Sequence, residues 1–277
     1  MVKLKKWTFE TSWSIIGIIF AIIVIFPVVW IVFTALKSNE EMFAIPVRVF
    51  PTSIYLQNFI DVLSMERFRR YFFNSLVVTV LATIINIAIA ALAAFAFSRF
   101  QFKGKIPMLG IIILTQVLPG VALLIPIYQF WVDMGLINTH ASLFVTYALL
   151  NLPLTLWLLI GFFNAVPRDI DEAALIDGCS KILTLIYILL PLSKPALFAS
   201  AIYVSMGIWQ EFMIASVLTT NDHMRTLMVG LFSFVGERTT NWGLLMAASV
   251  LITIPVMCFF GITQKQFSHG LAGAVKG

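Results

Sequence analysis

The sequence is poor in charge. Only 11% of its 277 residues are Asp, Glu, Lys or Arg, and 60% are hydrophobic, against about 25% charge in an ordinary soluble domain. That balance excludes a water-soluble globular protein and makes the bilayer the main solvent. Cysteine is nearly absent. Cys179 and Cys258 are the only two and lie far apart, which excludes a disulfide framework and a cysteine metal site. The three histidines, His140, His223 and His269, are isolated. No H-E-x-x-H and no G-x-S-x-G occurs, so neither a catalytic set nor a metal set is offered. No G-x-x-x-x-G-K-[ST] loop is present, which excludes nucleotide hydrolysis by this chain. The formal charge of +5 is not gathered into a basic run with interleaved aromatics, so no nucleic-acid partner is indicated.

What the chain has in abundance is long apolar runs. Six stretches, about 14–36, 72–97, 106–130, 141–163, 195–219 and 243–264, are long enough to cross about 30 Å of hydrocarbon as helices and together contain one formal charge, Glu211. In lipid, backbone groups must be satisfied within the segment, so these runs are expected to be helical. Lys3, Lys5 and Lys6 precede the first run in the manner of a signal peptide. Its apolar core is too long for one and no A-x-A site follows, so a retained helix is expected.

Basic residues set the orientation. With both termini in the cytoplasm, segments 1–13, 98–105, 164–194 and 265–277 hold eleven Lys/Arg, while 37–71, 131–140 and 220–242 outside hold seven. The loop SRFQFKGK (98–105) is the cleanest inside signal. Arg67, Arg69 and Arg70, just before the second run, count against it.

In the long outer loop 37–71, Tyr55, Phe59, Ile60 and Leu63 share a helical face. This reads as an interfacial helix on the bilayer or as a docking surface for an external partner. The alanine-rich INIAIAALAAFAF (85–97) fits close helix packing in lipid. Pro27, Pro119, Pro126, Pro153 and Pro255 interrupt spans, and each frees a carbonyl. Kinks are the expected outcome.

The loop 164–194 departs from this apolar plan. PRDIDEAALID (167–177) opens with Pro167 and acids suited to a helix N-terminus. Ala173 and Ala174 leave a bare face, and Gly178 suits a left-handed stop. A second amphipathic helix follows, closed by Pro191. The expected product is a helix–turn–helix elbow parallel to the membrane with an exposed carboxylate at Glu172.

Glu172-Ala173-Ala174, three residues, Gly178, nine residues, then Ile188-Leu189-Leu190-Pro191 resembles the signature EAA loop of ABC importer permeases. The resemblance extends along most of the chain to the second permease subunit of maltose-type carbohydrate importers, through FFNSL (72–76), AFAFSRFQFKGK (94–105), LIPIY (124–128), GLINT (135–139), IPVM (254–257) and the tail HGLAGAVKG (269–277). Two departures stand out. The segment Gly270–Gly273 is one residue shorter than is common in that family. Trp209-Gln210-Glu211-Phe212 has Gln where Asn is usual.

The resemblance implies an all-α membrane protein of the type I ABC importer permease fold, a single permease domain over 1–277 with six transmembrane helices and a cytoplasmic coupling loop. It implies a sugar or oligosaccharide cargo, delivered by an extracytoplasmic binding protein and moved by alternating access across a bacterial or archaeal cytoplasmic membrane. Two cytosolic ATPase subunits would hold ATP and Mg, and this chain would bind no cofactor. A second permease subunit would complete the pathway, normally an unlike one, though an identical copy would also close it. Asp171, Glu172, Ala173, Ala174, Asp177, Gly178 and Pro191 are the implied ATPase-coupling residues. Gly270, Gly273, Val275, Lys276 and Gly277 are the implied tail contacts at the ATPase interface.

For the substrate pathway the candidates are Gln116, Asn151, Trp209, Gln210 and Glu211. An ionisable group inside a span usually faces a cavity or a partner, amides suit sugar hydroxyls, and an indole stacks on a sugar ring. Interhelical hydrogen bonding is the plainer role for each amide. A different cargo, such as a polyol, glycerol phosphate or peptide, is the nearest alternative. An ion-coupled secondary transporter would want several midplane acids and repeated broken helices, and only Glu211 answers to that.

Overall fold

A computed structural model describes residues 2–235 and 240–274, with side chains at 14–232, 234–235, 240–258 and 261. Among the described residues the regular elements are helices, with one isolated bridge between Val235 and Thr240. The chain divides into two compact units, 1–68 with 231–254, and 69–230 with 255–277.

The first unit begins with the helix Val2–Ala35, whose apolar part Ser14–Ala35 is 22 residues long. At 1.5 Å per residue it spans about 33 Å, enough for a bilayer core. Its last carbonyls have no intrahelical donors, as at any helix end. Asn58, on the short helix Gln57–Ser64, supplies them: its Nδ2 donates to Ala35 O and Lys37 O, each at 2.9 Å. Gly243 is the room-maker, since a Cβ there would lie 2.7 Å from Asn58 Oδ1. The buried Lys37 donates to Arg48 O and lies 5.3 Å from the Trp30 ring centroid. Glu41 accepts from the Thr52 amide at 2.5 Å. That bond, first among its causes, holds the Glu41 carboxyl below the usual glutamate range. On Gln57–Ser64 the buried side chains are Asn58 and Val62, while Ile60 and Leu63 are exposed, as is Tyr55 just before the helix.

The helix Glu66–Arg99, 34 residues long, begins at the end of the first unit and carries the second. At about 51 Å it is longer than the hydrocarbon core. Ala82, Asn86, Ala90 and Ala94, four apart and all 0% exposed, form one i, i+4 stripe. Within that stripe Asn86 donates to Ala148 O at 2.8 Å. Small residues permit this approach, and a buried amide needs a partner in lipid. The stripe links two clusters of the core, one around Trp131, Tyr147 and Ile208, the other around Phe95, Leu159 and Leu189. Near residue 74, Asn74 donates to His223 O and Arg225 O, and Ser75 Oγ accepts from the Leu227 amide. These bonds give the FFNSL stretch a concrete job, pinning loop 223–227.

Three of the expected continuous spans are broken. The run 106–130 is not one helix: Lys105–Val117 and Gly120–Asp133 meet at 102°. Leu118 is extended (ψ 129°), as the residue before a proline prefers, and Pro119 starts the next helix. His140–Leu150 and Leu152–Ala165 meet at 46°, with Asn151 between them and Pro153 in the first turn of the second. Lys181–Leu192 and Lys194–Trp209 meet at 79°. The expected span 195–219 stops at Trp209 and resumes as Met213–Leu218. The helix Trp242–Ala274 is the last element.

Candidate functional site

The elbow is built from two helices, Arg168–Ile176 and Lys181–Leu192. Pro167 caps the first helix, with Asp169 and Asp171 in its first turn. The end is a Schellman motif. The Cys179 amide donates to Ala174 O at 2.9 Å and the Gly178 amide to Leu175 O at 3.1 Å. Gly178 has φ +84°, and a Cβ there would meet nothing within 4 Å. The backbone conformation therefore demands glycine, and crowding plays no part. Ser180 then caps the second helix by accepting from the Leu183 amide. That helix continues through a π-turn at Leu185–Leu189 into Pro191.

The elbow is tied to the long span by one buried ion pair. Arg99 Nε lies 2.5 Å from Asp171 Oδ2, with side chains 8% and 17% exposed. Arg99 Nη2 also donates to Val166 O at 3.1 Å, and Arg168 donates to Ser98 O at 3.3 Å. The last turn of Glu66–Arg99 thus holds both sides of Pro167. Sequence reasoning counted Arg99 only as an orientation signal. Its position in the first basic loop, opposite an acidic helix start, was the available clue.

The expected bare face of Ala173 and Ala174 is not a single face. Successive helical residues are 100° apart, so Ala174 is buried at 4% while Ala173 is exposed. The exposed side carries Glu172, Ala173 and Ile176, and Ile176 is 86% exposed. Glu172 makes no ion pair or hydrogen bond among the described residues, and Asp177 and Gly178 are exposed beside it. Ile176 was missed in the sequence, where an isoleucine in an amphipathic helix reads as buried.

The pathway candidates share a placement that sequence did not reveal: most sit at breaks in helices. Gln116 lies in the short 3-10 turn Thr115–Val117 and donates to Leu150 O at 3.0 Å. Asn151 is the residue between two helices, and its Nδ2 donates to Tyr147 O at 2.9 Å. Gln210 and Glu211 fill the gap after Trp209. Glu211 is held by three donors: Tyr147 OH at 2.5 Å, the Ile214 amide at 2.8 Å and the Ala215 amide at 3.1 Å. Its carboxylate therefore satisfies two first-turn amides of Met213–Leu218 from just before the N-cap residue Phe212, and it is joined through Tyr147 to Asn151. Trp209 is only 2% exposed, its ring edge-on to Phe72 at 5.6 Å, so it offers no open face for stacking. Gln210 is exposed. Gly270 and Gly273 fall in the helix Trp242–Ala274, and Val275, Lys276 and Gly277 lie outside the described residues.

Residues 86–272 match the family described as binding-protein-dependent transport system inner membrane component. The trehalose/maltose transport system permease protein MalG of Thermococcus litoralis is 38% identical over 95% of this chain and 96% of its own length. The sulfoquinovosyl glycerol transport system permease protein SmoH of Agrobacterium fabrum is 35% identical over 91% and 89%. The diacetylchitobiose uptake system permease protein DasC of Streptomyces coelicolor is 33% identical over 99% and 100%. In fold, the chain is similar to one from the crystal structure of a bacterial ABC transporter involved in the import of the acidic polysaccharide alginate. The TM-score there is 0.85 at 21% identity, covering 94% of this chain and 97% of that one. A second likeness, at TM-score 0.70 and 13% identity over 94% and 93%, is to a chain of a bacterial alginate ABC transporter in complex with alginate pentasaccharide-bound periplasmic protein. The family match over 86–272 and the relatives aligned over nearly their whole length agree: the chain belongs to the family of binding-protein-dependent transport system inner membrane components.

Proposed function

We infer that the chain is the permease subunit of an ATP-driven importer that passes a sugar or oligosaccharide, delivered by an extracytoplasmic binding protein, into the cytoplasm. The observation that carries this reading is the elbow: a helix locked at its end by Gly178, tied at its root by Arg99–Asp171, with Glu172, Ala173 and Ile176 uncovered. A stiff lever with an unpaired carboxylate beside a bare isoleucine suits a groove on a moving partner. Glu172 would meet a cation there, a charge-assisted contact of about 1.5–3 kcal/mol once desolvated, and Ile176 would enter an apolar notch. Movement of two cytosolic ATPase subunits, which hold the ATP and Mg, would then travel through Asp171 and Arg99 into the long span. A carbohydrate cargo is supported by the three relatives named above, whose printed substrates all carry sugar units.

In this reading Ser14–Ala35, Glu66–Arg99, the three bent pairs and the helix from Trp242 make six membrane segments, with both termini cytoplasmic. A second, unlike permease closes the pathway. The breaks at Gln116, Asn151 and Gln210–Glu211 leave polar groups at bilayer depth, which suits a route lined by irregular backbone.

Affinity purification of the tagged chain from native membranes, with mass spectrometry of what is bound, tests the assembly. An ATPase, a second permease and a binding protein are expected. In vesicles carrying that assembly, Glu172→Lys should abolish ATP-driven sugar uptake while the chain stays inserted. Wild-type uptake by Glu172→Lys refutes the coupling role. A chain that purifies alone and transports without ATP refutes the importer reading.

A further inference from the structure

The first span ends at Ala35, and the chain that follows folds back onto that end instead of leading away from it. The Tyr55 amide donates to Leu36 O at 2.9 Å, Asn58 Nδ2 donates to Ala35 O and Lys37 O, and Lys37 Nζ donates to Arg48 O. The Phe50 ring packs on Phe33, their centroids 5.4 Å apart. Phe33 lies two residues before Ala35, about 3 Å along the helix axis. The Phe50 ring therefore sits beside the final turn of the span, at the edge of the hydrocarbon. Lys37 Nζ stands 5.3 Å from the Trp30 ring centroid. A tryptophan and a lysine stem at one height are characteristic of the membrane–water interface.

These ties hold a stretch that is apolar and uncovered. Within 43–56 the side chains of Phe43, Ile45, Val47, Phe50 and Ile54 are exposed, Ile45 by 97%, and Arg48 is the single formal charge. An apolar run of this extent is rarely left in water. Its height decides what covers it. The run is tied at 48, 50 and 55 to the end of a span, so it lies along the membrane surface and does not project toward a protein outside. Irregular backbone facing lipid is not tolerated in hydrocarbon. The backbone therefore stays among the headgroups, where water satisfies the groups the ties leave over, and the side chains alone reach below. Arg48 then stands at the height of the lipid phosphates. The sequence pattern points to Tyr55, Phe59, Ile60 and Leu63 as the surface face of this loop, but the larger exposed apolar surface precedes them.

We propose that residues 43–56 are a membrane-surface anchor: Phe43, Ile45, Val47, Phe50 and Ile54 enter the phospholipid leaflet at this end of the first span, among the upper acyl chains. The anchor fixes the height of the span end in the bilayer. It stands apart from the importer reading, and either can fail alone. Only the identity of the leaflet, the outer one, follows from the orientation proposed above.

Spin labels on the full chain, purified with its native partners and returned to phospholipid vesicles, test it. Ile45→Cys, Val47→Cys and Ile54→Cys, one at a time in a Cys179→Ser, Cys258→Ser background, carry the label. All three positions are exposed, so the label displaces no packed side chain. Glu40→Cys, exposed on the short helix Asn39–Met42, is the comparison. At 45, 47 and 54 collisions with oxygen, which concentrates in lipid, are expected to exceed collisions with a neutral nickel chelate, which stays in water. The order should reverse at 40. Nickel collisions at 45 and 54 as frequent as at 40 would put the run in water and overturn the proposal. Labels shielded from both reagents would show a protein covering, whether a second permease or an external partner, and would overturn it as well.

Discussion

Alanine at position 178 separates backbone strain from crowding. Gly178 has φ +84° with open space where a Cβ would stand, so alanine meets no atom and the whole effect is conformational. An L-residue held in the left-handed region costs about 1–2 kcal/mol. Two hydrogen bonds depend on that conformation, Gly178 N–H to Leu175 O and Cys179 N–H to Ala174 O. The cost therefore falls on local opening of the elbow turn, well below global unfolding. At 1.4 kcal/mol per tenfold, amide protection at 178 and 179 should drop about five- to thirtyfold in Gly178→Ala. Gly178→Asn should lose less, because asparagine tolerates the left-handed region. Hydrogen exchange on the purified protein, resolved over 168–192, reads this directly. Gly207 is the control: its φ is not positive and its nearest neighbour to a Cβ, Asn151 Oδ1, is 3.8 Å away, so Gly207→Ala should leave the elbow amides unchanged. Equal protection in the glycine, alanine and asparagine proteins would refute the strain argument. Loss of protection throughout the chain would refute its local character.

Three further outcomes follow from the geometry. Asp171→Ala leaves Arg99 buried without its counter-charge and should destabilise the protein by about 3–5 kcal/mol, read as a lowered unfolding midpoint. The double replacement Arg99→Leu with Asp171→Leu should recover much of that loss. Gly243→Ala places a Cβ against Asn58 Oδ1 and should cost about 1–3 kcal/mol by uncapping the carbonyls of Ala35 and Lys37; adding Asn58→Ala should bring no comparable second loss, because the two changes break the same bonds. For Glu41, the bound carboxyl titrates below its usual range, so its clamp on Thr52 is complete above that range and is lost as pH falls through the lowered value. Exchange protection of the Thr52 amide should hold at neutral pH and disappear on acidification, and a Glu41→Gln protein should show no such pH dependence.

The elbow was legible because its signals are local. An acidic helix start, a glycine at the end and a serine cap after it each act within a turn of chain. What a local reading missed was direction. It put Ala173 and Ala174 on one face, passed over Ile176 and counted Arg99 only as a loop charge. Each depends on which side of a helix meets the long span. The polar pathway candidates were picked out as oddities in apolar runs. Three donors converging on Glu211 came from residues 147, 214 and 215, of which Tyr147 is remote in sequence.

Proline marks the boundary between the two kinds of knowledge. Pro27, Pro126 and Pro255 lie inside continuous helices, whereas Pro119 begins a new helix at 102° and Pro153 follows a 46° bend. Each lacks a backbone N–H, which costs a bond in a helix interior and none at a helix start. Whether the chain kinks or breaks depends on what else can satisfy the freed carbonyls, and those partners, such as Gln116 at Leu150 O, come from other helices. The sequence by itself determined that this is a membrane protein, where its apolar helices lie and where its elbow turns, because hydropathy and backbone preference act over a few residues. Only the tertiary structure decided where the spans break, which elbow residues stay uncovered and how Arg99 ties them to the long span, because those outcomes rest on contacts between segments distant along the chain.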